Sequence, residues 1–139
     1  MSLIRVLVVD DVERWRLCVS SILEAEPSFE VFEASDGLNA VQAAERLQPT
    51  VVLLDIGLPG LNGIQAGGWI RKVAPCAKIV FVSMERDPDI VEAGWRLGAS
   101  GYVLKSDAAR ELVAAIQSVI RGEKFLSRSL DGHRFMDGE

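Results

Sequence analysis

Five short β-branched runs alternate with segments of helical spacing along most of the chain, and this alternation restricts the fold more than any other feature. The runs are Ile4 to Val9, Phe29 to Ala34, Val51 to Leu54, Lys78 to Val82 and Gly101 to Leu104. The first, third and fourth are almost continuously apolar, the pattern of central parallel strands covered on both faces. Phe29 to Glu33 alternates instead, which suits a strand nearer an edge.

The intervening segments carry apolar residues at helical spacing. Val12, Trp15, Val19, Ile22 and Leu23 share one face and stop before Pro27; Leu38, Val41, Ala44 and Leu47 do the same ahead of Pro49. Ile64 to Val73 forms a third helix in spite of Gly67 and Gly68, each of which costs about 1 kcal/mol relative to alanine. That pair either permits close packing or loosens the helix. Asp87-Pro88 marks a helix start, with an acidic cap and proline in the first turn. Leu112, Ile116, Val119 and Ile120 line a last helix that ends at Gly122. Strict alternation of five strands and five helices predicts an α/β fold: an open, doubly wound (βα)5 parallel sheet with right-handed crossovers.

The chain has 139 residues, 49% hydrophobic and 25% charged, with 15 basic and 20 acidic side chains giving a net charge of −5. This is enough apolar matter for one core and excludes wholesale disorder. The acidic balance argues against a domain built to coat nucleic acid. No apolar run reaches the roughly 20 residues needed to span a bilayer, and the start MSLIRVLVVDD lacks a signal-peptide layout. Cys18 and Cys76 lie far apart without a CxxC pattern and read as buried thiols of a cytoplasmic protein. The expected organisation is one domain over residues 1–122, followed by a tail or the start of a linker over 123–139, loose from Ser127 onward.

In open parallel sheets, ligands bind beyond the carboxyl ends of the strands. Asp10 and Asp11 follow the first strand, Asp55 the third, Ser83 the fourth and Lys105 the fifth. Taken singly, each has an ordinary explanation as a cap, a turn residue or a solvated charge. Jointly they place three carboxylates, a hydroxyl and an ammonium on one sheet edge, an acid excess that a divalent cation would relieve. A hard ion such as Mg²⁺ beside a carboxylate suits phosphoryl chemistry, with Asp55 as the nucleophile on the middle strand. Lys105 and Ser83 would then neutralise and hydrogen-bond the phosphoryl oxygens.

Four segments carry a family resemblance: Val8-Val9-Asp10-Asp11, Leu54 through Gly63, Val82-Ser83, and Gly98 through Lys105. From Ile4 to about Arg121 the chain resembles a receiver domain of a two-component response regulator. The resemblance implies a flavodoxin-like fold of strand order 2-1-3-4-5 and phosphoryl transfer to Asp55 from a sensor histidine kinase or phosphotransfer protein. It implies magnesium bound by Asp11, Asp55 and the Gly57 carbonyl, with Asp10 assisting. Ser83 and Tyr102 become the switch hydroxyl and aromatic, and Lys105 pairs with the phosphoryl group. Phosphorylation would then shift the face built from the fourth helix, fifth strand and fifth helix.

Two departures stand out. Ser106 follows Lys105 where many receivers carry proline after a cis peptide, and a cis bond before a non-proline residue costs about 2.5–4 kcal/mol. The loop after Asp55 reads Gly57-Leu58-Pro59, where methionine more commonly precedes the proline. Gly122 to Ser127 resembles the join to a LuxR-type helix-turn-helix, so transcriptional control through an output domain absent from this chain is expected, with DNA contacted only there. A homodimer is a further expectation; membrane association is not. The competing readings are a phosphorylation-independent interaction module of the same fold and a metal-dependent hydrolase. The latter lacks an Asp-x-Asp loop and a capping insertion, so no substrate turnover is expected.

Overall fold

The computed structural model describes residues 3–130; the expected looseness of 131–139 lies outside the described residues. The strands are β1 (Ile4–Val9), β2 (Phe29–Ala34), β3 (Val51–Leu54), β4 (Lys78–Ser83), β5 (Gly101–Leu104) and β6 (Phe125–Leu126). The helices are α1 (Glu13–Leu23), α2 (Gly37–Leu47), α3 (Gly63–Val73), α4 (Pro88–Leu97) and α5 (Ala108–Ile120), with 3₁₀ turns at Lys105–Asp107 and Arg128–Leu130. Among the described residues all strands are parallel in one sheet, ordered β2-β1-β3-β4-β5-β6.

The near-continuous apolar runs follow from burial on two sides. Val6 and Val8 of β1, Val51 and Leu53 of β3, and Val80 and Val82 of β4 pack under α1 and α5, against Val19, Leu23, Leu112 and Ile116. Their alternates Leu7, Val9, Val52, Leu54, Ile79 and Phe81 face α2, α3 and α4, against Ala40, Ala44, Ile70, Val91 and Trp95. Successive strand side chains point to opposite faces, so a strand covered twice has no polar position to spare. β2 pairs only with β1, which matches its alternating sequence.

Three helix faces differ from expectation. Ile120, the last residue of α5, is 36% exposed, beyond the buried stripe of Leu112, Ile116 and Val119. Val12 is 49% exposed, because it is the N-cap of α1 rather than part of its buried stripe. Leu38 is 60% exposed; α2 approaches the sheet through Ala40, Ala43 and Ala44, whose small side chains bring the backbone close and rotate the leucine outward. One glycine of the pair in α3 finds its reason. A Cβ on Gly67 would sit 2.5 Å from Leu97 Cδ2, so Gly67 serves close packing against α4, whereas a Cβ on Gly68 would meet only ordinary contact at 3.8 Å.

The chain does not loosen at Ser127. Phe125 and Leu126 extend the sheet beside β5, beyond the five expected strands. Ser127 is fully buried and Leu130 inserts into the core beneath α4 and β5. Lys124 Nζ lies 5.2 Å from the ring centre of Trp95, tying this segment to α4.

The cysteines also depart from expectation. Cys18 and Cys76 are free, as read, but exposed rather than buried. Cys18 lies off the buried stripe of α1 formed by Val19, Ser20 and Leu23, and Cys76 sits in the turn before β4.

Candidate functional site

β1, β3 and β5 lie close together in the sheet and release their chains at the same edge. There Asp10, Asp11, Asp55 and Lys105 emerge, and the three acids meet. One carboxylate oxygen from each of Asp10, Asp11 and Asp55 lies within 4.8 Å of the other two. Asp10 and Asp55 are buried, whereas Asp11 faces solvent.

Local bonding fixes each group. Asp10 Oδ1 accepts from the Val12 N–H at 2.9 Å, so Asp10 holds the turn into α1 and Asp11 is left free of capping duty. Asp10 Oδ2 meets the Lys105 ammonium at 2.7 Å, while Asp55 Oδ2 lies 3.8 Å from the same nitrogen. The loop after Asp55 is held by Gly63, whose N–H donates to the Ile56 carbonyl at 2.9 Å. A Cβ there would stand 2.1 Å from the Asp55 carbonyl oxygen, so only glycine allows α3 to start so near the acid. Asn62 and Gln65 close the start of α3 in a reciprocal capping box.

Burial raises the Asp55 pKa above its ordinary value; Lys105 opposes this, Asp10 adds to it, the Gly57 N–H opposes it by hydrogen bonding, and Asp11 adds to it again. Three carboxylates against one ammonium leave the cluster short of positive charge. Its donors are hard oxygens gathered within one coordination sphere, the set a magnesium ion favours. The cluster therefore fits that ion.

Ser83 and Tyr102 lie on the other side of Asp55. Ser83 Oγ accepts from the Glu85 N–H at 3.1 Å. The Tyr102 hydroxyl donates to the Glu85 carbonyl at 2.8 Å, and the ring is 1% exposed, tilted against Phe81. Tyr102 is thus turned inward, on a strand that β6 keeps from being an edge. Burial pushes its phenol pKa up to about 12, against a hydrogen bond with Ser83. The Lys105–Ser106 peptide is trans; no cis bond occurs among the described residues, and the two residues open a 3₁₀ turn.

Sequence reading brings all these residues to one edge, with Trp15 one helical turn after Asp11, and misses two supports, Arg16 and Ser127. Arg16 Nη1 donates to the Asp10 carbonyl at 2.7 Å and its Nε to Glu33 Oε1 at 3.0 Å, bracing the ends of β1 and β2. The Val8–Glu33 register between those strands carries the signal for this brace. Trp15 faces Lys105, its ring centre 5.1 Å from Nζ. Ser127 anchors the turn that holds Lys105, a role with no local signature.

Comparison with known proteins agrees with this geometry. Residues 6–117 match the model of the response regulator receiver domain, and the chain belongs to that family. It is 36% identical over 124 residues to the transcriptional regulatory protein DegU of Brevibacillus brevis, covering 88% of this chain and 52% of DegU. It is 37% identical to the transcriptional regulatory protein LiaR of Bacillus subtilis, covering 94% of this chain and 62% of LiaR. A two-component response regulator of the LuxR family from Aurantimonas superposes with a TM-score of 0.87 at 32% identity, covering 93% of each chain. The chain therefore spans only about half to six-tenths of the curated relatives' length. Its fold is the flavodoxin-like arrangement of receivers, and its class is that of two-component signalling domains.

Proposed function

We propose that Asp55 accepts a phosphoryl group from the phosphohistidine of a sensor histidine kinase or phosphotransfer protein. The observation that carries this is the meeting of Asp10, Asp11, Asp55 and Lys105 at one sheet edge, with the acid oxygens within 4.8 Å of one another. In the transfer, an Asp55 carboxylate oxygen forms a bond to phosphorus as the donor's P–N bond breaks. The electron pair goes to the imidazole nitrogen, which takes a proton from water. Asp10, Asp11, Asp55 and, by family likeness, the Gly57 carbonyl would hold magnesium, which supplies charge neutralisation for the phosphoryl oxygens when bound. Lys105 offers a second positive charge and Ser83 a hydroxyl to the same oxygens. This is self-limited chemistry on the domain's own aspartate rather than turnover of a substrate.

Ser83 and Tyr102 would transmit the change. Both are tied to Glu85, so a Ser83 hydroxyl drawn toward a phosphoryl group releases a bond that holds the β4–α4 loop. The face of α4, β5 and α5 would respond and bind a partner, including a second copy of the chain. Likeness to the transcriptional regulators DegU and LiaR supports an output domain in the full protein, reaching DNA through a LuxR-type helix-turn-helix. Two exposed free thiols suit the reducing cytoplasm. No helix among the described residues is long and apolar enough to cross a membrane.

The test is to treat the protein with Mg²⁺ and a small acyl phosphate and weigh it intact. One added phosphate is expected, absent in Asp55→Asn. Labelling that survives in that variant removes Asp55 as acceptor; no labelling of the wild type returns the module reading, which the complete site does not favour.

A further inference from the structure

We infer that Trp15 is a positioning residue for Lys105, a role that rests on the phosphoacceptor reading above. Lys105 reaches the site with a side chain only 16% exposed, and its ammonium meets three surfaces. Asp10 Oδ2 lies 2.7 Å away, Asp55 Oδ2 3.8 Å away, and the Trp15 ring centre 5.1 Å away. The two carboxylates attract the cation by neutralising it. The indole face attracts it through its quadrupole and leaves its full charge available.

That difference matters when Asp55 takes a phosphoryl group. The negative charge of the acceptor then grows, and Lys105 must give up part of its contact with Asp10 to meet it. A third carboxylate in place of Trp15 would hold the ammonium back; an aliphatic residue would let it swing into solvent. The aromatic face does neither. Trp15 stands one helical turn after Asp11, so the helix that follows the acid pair also carries the wall that guides the lysine.

The surroundings support the assignment. Trp15, Met84 and Leu104 line a largely apolar cavity of about 420 Å³ beside Lys105, with Arg86 and Ser106 at its sides. With its side chain only 16% exposed, the ammonium is partly desolvated, which strengthens the cation–π attraction.

The test uses Trp15→Leu, which keeps bulk without an aromatic face, and Trp15→Phe, which restores a face. With Mg²⁺ and acetyl phosphate, Trp15→Leu should slow phosphorylation of Asp55 about three- to tenfold while Trp15→Phe stays within about twofold of wild type. Thermal melts select preparations of equal foldedness. In a Lys105→Gln background, Trp15→Leu should have no further effect, whereas a merely structural role would slow both backgrounds alike. The Lys105 ε-protons should show aromatic ring-current shielding by NMR in wild type and Trp15→Phe and lose it in Trp15→Leu. Wild-type rates in Trp15→Leu, or effects of the two substitutions that simply multiply, overturn the inference and leave the phosphoacceptor reading intact. A wild-type protein that takes no phosphate overturns both.

Discussion

The Ser127 hydroxyl lies 2.8 Å from Asp107 Oδ2 and accepts from the Leu104 N–H at 3.1 Å, joining β6 to the turn that carries Lys105. Glu111 stands on the other side of the same hydroxyl and accepts from the Arg128 N–H at 2.9 Å. One buried oxygen thus binds three elements: β5, the 3₁₀ turn and α5. Ser127→Ala removes the single hydroxyl proton that lies between two carboxylates, and the acceptor of a buried amide, so a loss of about 1–3 kcal/mol is expected. Urea unfolding measures it, and hydrogen exchange should show faster opening of the Phe125 and Ser127 amides.

Acid should release the same segment. Hydrogen bonds from the Ser129 and Ser127 hydroxyls hold the Asp107 pKa below its ordinary value, helped by the Ser129 N–H and Arg110 and opposed by burial. A carboxylate lowered in the folded state contributes stability above its unfolded pKa near 3.8 and loses it as pH falls through the lower folded value. Exchange at β6 should therefore rise selectively below about pH 4. Asp107→Asn should flatten that dependence.

Tyr102 makes an opposite prediction in base. It is the only tyrosine of the chain, and its phenol is raised to about 12. A proton held more tightly in the folded state stabilises it below the unfolded pKa near 10, and that contribution fades as pH climbs toward 12. Ultraviolet titration should show no phenolate around pH 10 in the native protein. Ordinary titration there would mean that the ring stands outward.

Gly63→Ala should disturb the site from outside it. Its Cβ would collide with the main chain at Asp55, not with a flexible side-chain tip. A cost of about 3 kcal/mol is expected, with weaker phosphorylation in whatever remains folded. Gly57→Ala meets only ordinary contact, 3.9 Å from Asp55 Oδ2, and should fold normally.

Magnesium should change the emission of Trp15, whose ring borders the Lys105 ammonium that Asp10 holds. A saturable fluorescence change on titration is expected, lost in Trp15→Phe and shifted to higher magnesium in Asp11→Asn. Trp69 and Trp95 remain as internal controls.

Much of this molecule is legible before any coordinates. Strands buried on both faces cannot hide their apolar runs, and the charges that interrupt those runs at one end gather in the candidate site. Faces that pack through small residues are harder to read. Ala40, Ala43 and Ala44 bring α2 to the sheet, and the bulkier Leu38 suggests a different face from the one used. β6 is harder still. Two residues carry no periodicity, and what seats them is a hydroxyl at Ser127 and a leucine at Leu130, both brought in by the turn that follows. Arg16 escapes notice because its partner comes from β2, distant in sequence and adjacent only once the sheet order is known.

The unequal reach of Lys105 toward its two acids has a consequence of its own. The lysine leans on Asp10 rather than on the proposed acceptor Asp55, 2.7 Å against 3.8 Å. On that proposal, signal reception would amount to a change of allegiance by a single cation. Weakening the older bond, rather than strengthening the new one, would be the shortest mutational route to a domain that fires too readily.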